Sequence, residues 1–252
     1  MPLRISTITG ICNFTESINL NNLYKNINIC DKLIFAELGE DYKGLIDKKN
    51  LRKRDKGVKK FFYNQITFHI NIKLEDIHKK VNVKIFNNGS IQMTGLKTET
   101  CGIVTTNYLL EKIKSLKGFD IYEDSKIINL GKYYIAMINT DFDIGFKINR
   151  DNLNTYLNNM GIYTSFEPCT YPGVNIKYYY KVDNKSGICN CDNNCKGNGI
   201  NGCCKKITIA VFNSGKIIIT GGRNFIQCKT AYDFIYNILL KNKEIFLDKP
   251  PR

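Results

Sequence analysis

Two stretches of the chain share one pattern of apolar and polar positions. In residues 211–222, Val-Phe-Asn-Ser-Gly-Lys-Ile-Ile-Ile-Thr-Gly-Gly, an apolar run ends in Phe, a polar turn follows, and a second apolar run leads to Thr-Gly. Residues 85–95, Ile-Phe-Asn-Asn-Gly-Ser-Ile-Gln-Met-Thr-Gly, repeat that order. Asn-Ser-Gly and Asn-Asn-Gly supply the positive-φ positions of a tight hairpin turn. Each stretch therefore predicts a strand, a turn and a second strand.

The spacing of these two hairpins indicates a duplication. Phe86 and Phe212 are separated by half of the 252 residues in the chain. A repeat of that length is typical of one unit present twice and not of a solenoid. We therefore divide the sequence into a first repeat, residues 1–126, and a second repeat, residues 127–252, which carries a Cys-rich loop insertion at 183–206.

Apolar periodicity gives both halves the same order of elements. Each starts with a β-stretch, continues with a short helix and several strands, and ends in a long amphipathic helix. In the first half we expect a β-stretch at 3–14, a helix at 18–29, extended chain at 33–45, a strand at 61–70, a polar connector at 73–80, the hairpin at 81–95 and a helix at 98–116. In the second half we expect a β-stretch at 133–146, a helix at 148–157, a strand at 175–182, a loop at 183–206, the hairpin at 207–221 and a helix at 231–246.

Alternation with a period of two assigns side chains to the faces of these strands. In residues 61–70 one face carries Phe62, Ile66, Phe68 and Ile70, and the other carries Phe61, Tyr63, Gln65, Thr67 and His69. In the hairpins, one face holds Lys84, Phe86, Gln92 and Thr94 in the first half and Ala210, Phe212, Ile218 and Thr220 in the second. The long helix of each half would cover the opposite face. Apolar side chains on an uncovered face usually mark a binding surface.

Two such halves, joined edge to edge, would form a saddle. We expect an α+β fold with a pseudo-twofold axis, in which one curved antiparallel sheet is open on its concave face and carries helices on its convex face. A concave, partly apolar surface suits duplex DNA, because the minor groove displays few distinguishing polar groups. A Phe at a strand end, beside a turn, is placed to wedge between bases.

The charge of the chain supports a polyanionic partner. Lys and Arg number 37 against 23 Asp and Glu, so the formal net charge is +14. Such an excess favours nucleic acid or an acidic membrane face, and a surface that serves only solubility is the alternative. The basic segment 47–60 is either a solvated loop or a phosphate contact. No apolar run approaches the roughly 18 residues of a membrane span, so we expect no membrane partner.

Cysteine usage points to a reducing compartment. The chain has 10 Cys, and its N-terminal segment lacks the apolar core of a signal peptide, which argues against a disulfide framework. Five thiols in the Gly- and Asn-rich loop at 183–206 could hold a structural zinc ion, although their spacing is not the usual paired Cys-x2-Cys. Free or oxidisable thiols are the alternative, and we expect no cofactor to be required. The five are Cys189, Cys191, Cys195, Cys203 and Cys204.

The sequence offers no set of residues that would converge in an active site. It has 2 His, no paired carboxylates within a motif and no phosphate-cradling Gly-rich loop. These are the residue types that acid–base, metal-dependent and phosphoryl-transfer catalysis require. We therefore expect a protein without enzymatic activity.

The hairpin motifs resemble those of the TATA-box-binding proteins, and most closely the divergent members encoded by large DNA viruses. The resemblance is carried by residues 212–221, by their copy at 86–95, and by Phe-Glu-Pro-Cys-Thr-Tyr-Pro-Gly at 166–173, which is similar to the family's Tyr-Glu-Pro-Glu-Leu-Phe-Pro-Gly. It extends over nearly the whole chain. The family is the type example of a sheet bound in the minor groove, with aromatic side chains that kink the duplex.

The resemblance implies roles for individual residues. Four aromatic side chains would intercalate, for each of which ordinary core packing is the alternative: Phe61, Phe86, Tyr171 and Phe212. Tyr171 stands where the family has Phe. Residues of the groove and phosphate contacts would be Thr7, Thr9, Gln65, Thr67, Lys84, Gln92, Thr94, Lys97, Asn139, Lys177, Lys216, Ile218, Thr220 and Arg223.

Some positions depart from the family pattern. The Asn residues that bond the central bases in the family align with Thr7 and Met137 here, and the nearest Asn is Asn139. Ser90 replaces a basic residue, and Lys84 replaces an apolar one. These departures argue against a strict TATA preference but leave a DNA-facing saddle in place.

The function implied is that of a general transcription initiation factor. It would bind the minor groove of AT-rich promoter DNA as a monomer, bend the duplex and nucleate a pre-initiation complex. Its protein partners would be a transcription factor IIB-like protein and a multisubunit RNA polymerase. The protein would act inside the cell, in the nucleus or in a viral factory in the host cytoplasm, with packaging into the virion as a further option. The alternative is a degenerate saddle that serves as a protein-interaction scaffold without specific DNA bending.

Overall fold

The structure is a computed structural model that describes residues 2–45, 62–74, 77–123, 125–191 and 195–248. It divides the chain into two compact units. The first unit is Ile8–Ala136, and the second unit is Met137–Arg252 together with Met1–Thr7. The sequence repeat had placed the boundary between residues 126 and 127. None of the described helices is long and apolar enough to cross a lipid bilayer.

The first unit is an antiparallel sheet with helices packed against it. Its helices are α1 (Leu20–Asn26) and α2 (Glu99–Lys114). Its strands are β1 (Arg4–Asn13), β2 (Leu33–Leu38), β3 (Asp41–Gly44), β4 (Gln65–Leu74), β5 (Ile77–Phe86) and β6 (Ser90–Leu96), of which β1 contributes its residues from Ile8 onward. The strands pair antiparallel in the order β3-β2-β4-β5-β6-β1.

The second unit repeats this arrangement. Its strands are β7 (Tyr134–Asp143), counted from Met137, β8 (Thr164–Ser165), β9 (Gly173–Tyr180), β10 (Lys205–Phe212) and β11 (Lys216–Gly222). They pair antiparallel in the order β8-β9-β10-β11-β7. Its helices are α3 (Arg150–Asn159), α4 (Phe225–Lys241) and the single turn α5 (Lys243–Phe246). An antiparallel sheet with helices in each unit is the α+β class that the sequence predicts.

The long helices bury one face of each sheet. In the second unit, Ala231, Ile235 and Leu239 of α4 share a core with alternate strand residues such as Ile209 and Ile217. In the first unit, the same alternation buries Ile66, Phe68, Ile85, Ile91 and Met93 completely, and α2 turns Leu109 and Ile113 inward. Removing these apolar side chains from water provides most of the driving force for folding. Among the described elements, no helix covers the other face of either sheet.

The connector predicted at 73–80 is wrong. Residues 73–74 end β4 and residues 77–80 begin β5, and the two strands stay paired out to Leu74 opposite Ile77. Beyond Ile72 on β4 and Val81 on β5, which are the last buried residues of the two strands, the described side chains of this hairpin are mostly exposed and polar. Backbone hydrogen bonds alone continue the ladder there, so the apolar alternation that reveals a strand is missing.

The strand predicted at 61–70 starts later than expected. It begins at Gln65, and Tyr63 lies in a turn. Phe62, which the alternation assigned to the apolar face, is 57% exposed. Phe62 precedes the strand, so the alternation that buries Ile66 and Phe68 does not apply to it. Phe61 lies outside the described residues.

The closing helix also has different bounds from those predicted. It starts at Phe225, and the chain from Lys243 forms the separate turn α5. The Asn224 side chain caps the helix by accepting a hydrogen bond from the Gln227 backbone N–H at 3.0 Å. Phe225 and Ile226 are exposed, so the apolar periodicity becomes visible only at Ala231, where the helix reaches the core. The remaining predicted elements lie within a few residues of the observed ones.

Candidate nucleic-acid interface

The uncovered face of the first unit gathers the residues that the sequence placed there. Gln65 lies opposite Phe86, and Thr67 lies opposite Lys84. Lys84 in turn lies opposite Gln92. Thr94, opposite Asn82, completes a surface of half-buried side chains. This face combines amide, hydroxyl and ammonium groups with the ring of Phe86, which lies at the end of its strand.

The uncovered face of the second unit has the same layout with different side chains. One cross-strand row runs from Lys177 through Thr208 and Thr220 to Asn139. The next row runs from Asn175 through Ala210 and Ile218 to Asp141. Ile218 is 37% exposed, so this face is the more apolar of the two at its centre.

Phe86 and Phe212 occupy the same place in their hairpins. Each is the last residue of its strand and is half-buried on the uncovered face. The Phe86 carbonyl accepts a hydrogen bond from the Gly89 N–H at 2.9 Å, and the Phe212 carbonyl accepts one from Gly215 at 3.0 Å. Gly89 and Gly215 have φ angles of 82° and 87°, a conformation that favours glycine. The turn chemistry therefore fixes where each aromatic ring stands.

A second aromatic ring stands beside Phe212. The ring centroids of Tyr171 and Phe212 are 5.8 Å apart, and their planes are inclined at 60°. Gly173 makes room for the pair, because a Cβ there would lie 3.1 Å from Tyr171 Cε1 and 3.2 Å from Phe212 Cε1. Tyr171 is 41% exposed. The structure thus brings together two of the four aromatic residues for which the resemblance implies intercalation.

A concavity of about 900 Å³ lies on the uncovered face of the second unit. Six of the residues that line it were predicted from the sequence: Thr7, Asn139, Phe212, Lys216, Ile218 and Thr220. Five others with charged or polar side chains were not: Arg4, Ser6, Asp141, Asp143 and Ser214. The alternation Asn139-Thr140-Asp141-Phe142-Asp143 places both carboxylates on the face of Asn139 and was the signal that could have revealed them.

The carboxylate of Asp141 is paired within this concavity. Arg4 Nε donates to Asp141 Oδ2 at 2.5 Å, and Ser6 Oγ donates to Asp141 Oδ1. Arg4 remains largely exposed to solvent, with 78% of its side-chain surface accessible. The ion pair reduces the repulsion that a bare carboxylate would exert on a polyanion.

Two asparagines on the same face have an unused hydrogen-bonding atom. Asn139 Oδ1 and Asn175 Oδ1 are buried and make no hydrogen bond within the part of the chain that the structure describes. Buried amide oxygens usually have a partner. An amide can present either its oxygen or its nitrogen after a flip of the side chain, so both groups are suited to bond the edge of a base.

Basic side chains cluster around β9 and β10. Lys177 Nζ donates to Thr208 Oγ1 at 3.1 Å. Burial, and then the nearby charge of Lys206, lowers the pKa of Lys177. Burial, followed by Arg223 and Lys206, lowers the pKa of Lys205. A phosphate would relieve the repulsion among these cations. Lys205 and Lys206 were missed by the sequence reasoning, which had assigned them to a loop.

The remaining predicted residues are less closely grouped. Thr9 is only 7% exposed and lies where the β1–β6 register shifts between Ile8 and Gly10, so it offers little surface to a ligand. Lys97 follows β6 and is half-buried, and Arg223 is exposed just after β11. The position proposed for Phe61 falls outside the described residues.

Four of the five predicted thiols in the 183–206 segment lie close together. The Sγ atoms of Cys189, Cys191, Cys195 and Cys204 all lie within 4.8 Å of one another. Cys203, the fifth predicted ligand, lies outside that set, although its thiol interacts with that of Cys195.

Comparison with known proteins yields relatives in sequence. The family model of transcription factor TFIID, or TATA-binding protein, matches residues 132–242. A TATA-box-binding protein-like protein of Acanthamoeba polyphaga mimivirus is 28% identical over 253 residues, which cover 94% of this chain and 65% of that protein. The chain thus spans slightly less than two thirds of the length of this viral relative. The TATA-box-binding protein of Methanococcus aeolicus is 22% identical over 165 residues, or 66% of this chain and 71% of the archaeal one.

A solved structure agrees with this relationship at the level of the fold. Methanococcus jannaschii TBP superposes with a TM-score of 0.52 and 17% sequence identity, covering 96% of this chain and 99% of the archaeal chain. The fold class that the sequence predicts is thereby confirmed.

Proposed function

We propose that this chain, a member of the TATA-box-binding protein family, is a transcription initiation factor that binds the minor groove of AT-rich duplex DNA. The uncovered faces of its two units would contact the groove, while Phe86 and Phe212 insert between base pairs and bend the duplex. One observation carries this proposal: both rings sit at a strand end, beside a glycine turn, on the face turned away from the helices.

The chemistry of these faces suits the minor groove. That groove offers nearly the same acceptors for A·T and T·A pairs, so threonine, amide and apolar side chains can line it without a detailed base code. Thr94, Thr220, Ile218 and Asn139 supply such groups. Insertion of an aromatic ring unstacks a base step at a cost of about a few kcal/mol. Flexible steps such as TA lower that cost, which is why an AT-rich site is expected.

The outer surfaces of the long helices are suited to protein partners. Ile103 on α2 is 43% exposed, and Phe225, Ile226 and Leu240 on α4 are 45%, 67% and 44% exposed. Exposed apolar side chains on a helix favour contact with another protein. We infer that the protein binds partners akin to transcription factor IIB and a multisubunit RNA polymerase. We place this binding inside the cell, where transcription takes place.

A band-shift titration tests the DNA-binding part of this proposal. Wild-type protein, the double variant Phe86→Ala/Phe212→Ala and the control Phe225→Ala are titrated against an AT-rich and a GC-rich duplex at stated salt. We expect wild type and control to prefer the AT-rich duplex and the double variant to lose that preference. Equal binding of both duplexes by wild type and double variant would mean that net charge alone attracts DNA, and would overturn the proposal.

A scaffold without DNA bending is the second candidate, and one observation favours it. Asp141 and Asp143 place carboxylates on the face that would meet phosphates. Wild-type protein that binds no duplex at low salt, yet binds a transcription factor IIB-like protein, would support the scaffold function and contradict the DNA-binding function.

A further inference from the structure

The loop between β9 and β10 lacks a hydrophobic core of its own. Among residues 183–191 and 195–204, the structure buries Gly187, Gly197 and Cys204. The apolar residues Ile188 and Ile200 are 41% and 48% exposed. A long loop without apolar burial needs another source of order, such as a metal ion. Thiols occupy the centre of this loop instead.

The backbone of the loop is arranged to bring those thiols together. Gly197 and Gly199, which follow Cys195, adopt φ angles of 65° and 72°, a conformation that suits glycine. The Lys206 N–H donates to the Gly197 carbonyl at 2.8 Å, and the Gly199 N–H donates to the Cys204 carbonyl at 3.0 Å. These bonds fold the chain back on itself, so that Cys195 approaches Cys204.

Cys189 and Cys191 approach Cys204 from the side of β9. The Tyr179 N–H donates to the Gly187 carbonyl at 2.9 Å, which ties the start of the loop to β9 just before Cys189. Cys191 Sγ lies 3.3 Å from Cys204 Sγ and accepts a hydrogen bond from the Cys204 backbone N–H at 3.3 Å. Backbone amides directed at sulfur are typical outer-shell partners of metal-bound thiolates.

The spacing of the sulfur atoms fits one tetrahedral ion. A Zn–S distance of about 2.3 Å puts the sulfurs of a tetrahedral site about 3.8 Å apart. All four Sγ atoms lie within 4.8 Å of one another, so small rotations about χ1 would complete the tetrahedron. Four sulfur ligands leave no position open for substrate, which is the arrangement of a structural site.

We propose that Cys189, Cys191, Cys195 and Cys204 bind one Zn²⁺ ion that orders the loop between β9 and β10. Binding replaces the thiol protons by the metal, so four protons are released to solvent when all four ligands start as thiols. Four thiolates around Zn²⁺ carry a net negative charge, which the adjacent Lys205 and Lys206 would offset. None of the four ligands is among the residues proposed to contact DNA, so this proposal does not depend on DNA binding.

Metal analysis of the full chain, purified under reducing conditions, tests this site. We expect one zinc per wild-type chain, and loss of at least nine tenths of it in Cys191→Ser and in Cys195→Ser. Cys203→Ser is the matched control, because this thiol neighbours Cys204 in sequence but lies outside the group. It should retain the metal. Circular dichroism of each variant shows whether the sheet has folded.

Cobalt and proteolysis give two further readouts. Co²⁺ added to the chelator-treated protein should produce the charge-transfer absorption of a four-thiolate site. Limited proteolysis should cut the chelator-treated protein within the loop and leave the rest of the chain uncut. A wild-type protein that holds no zinc and binds neither Zn²⁺ nor Co²⁺ would overturn the proposal. So would iron in place of zinc, or a Cys203→Ser variant that loses its metal.

Discussion

The two units share a buried face and differ on the face left open. Ile91 and Ile217 occupy the same position in their hairpins, and both are completely buried. On the open side, the central row contains Lys84 and Gln92 in the first unit, where the second unit has Ala210 and Ile218. The buried face determines the scaffold and tolerates little variation. The open face contributes little to folding, so its chemistry has been free to diverge between the two copies.

The open faces of the two units therefore differ in their chemistry. The first unit offers an ammonium and an amide where the second offers aliphatic groups beside a paired carboxylate. A duplex would therefore meet stronger phosphate attraction on the open face of the first unit than on that of the second. Such an asymmetry would favour one orientation on a roughly symmetric site.

The largest expected effect tests the equivalence of the buried faces. Ile91→Ala and Ile217→Ala each remove a fully buried side chain, and such substitutions typically cost about 2–5 kcal/mol of stability. We expect similar losses for the two variants in urea denaturation. A loss below about 1 kcal/mol for either one would show that the two cores are not equivalent.

The next effect concerns the aromatic rings at the strand ends. We expect Phe86→Ala and Phe212→Ala each to weaken binding of an AT-rich duplex about tenfold, which corresponds to about 1.4 kcal/mol. Phe212 has Tyr171 beside it at 5.8 Å between centroids, so its loss should leave more residual bending than the loss of Phe86. Fluorescence titrations measure the affinities, and wild-type affinity in both variants would refute the intercalating role.

A smaller effect should show how much the positive charge on the first unit's open face contributes to DNA binding. Lys84 lies in the centre of the first unit's open face, opposite Thr67 and Gln92. If it meets a phosphate, Lys84→Ala should reduce the slope of log K against log salt by about 0.9. Lys241→Ala, at the exposed end of α4, should leave the slope unchanged. Equal slopes for Lys84→Ala and wild type would remove Lys84 from the interface.

The smallest effect is expected from the paired carboxylate of the second unit. Asp141→Asn removes a negative charge and frees Arg4 from its ion pair. We expect DNA affinity to rise about threefold at low salt and to approach the wild-type value at high salt, because salt screens the repulsion between the Asp141 carboxylate and the DNA phosphates. Asp151→Asn, exposed on α3, is the control. Weaker binding by Asp141→Asn would indicate that the ion pair positions the interface.

The features that the sequence predicts well are those with local chemical causes. Asn-Asn-Gly and Asn-Ser-Gly specify the turns, and the turns specify the places of Phe86 and Phe212. Alternation then separates the buried from the open face around Ile91 and Ile217. These rules act within a few residues, so a single sequence is enough to apply them.

The features that the sequence misses depend on contacts between distant segments. The outer part of the β4–β5 ladder, which ends at Leu74 opposite Ile77, extends past the core. Apolar and polar residues therefore do not alternate there. The pairing of Arg4 with Asp141 joins residues far apart in the chain. The choice of four thiols out of five depends on the path of a glycine-rich loop. Only the folded chain reveals these three.

The bend of a bound duplex tests the central claim most directly. An AT-rich duplex labelled at both ends is saturated with wild-type protein or with Phe86→Ala/Phe212→Ala, and energy transfer between the labels is measured. We predict that transfer rises with wild type and stays near the value of free DNA with the double variant. A duplex that remains straight with wild type, or that bends equally with both proteins, would contradict the account.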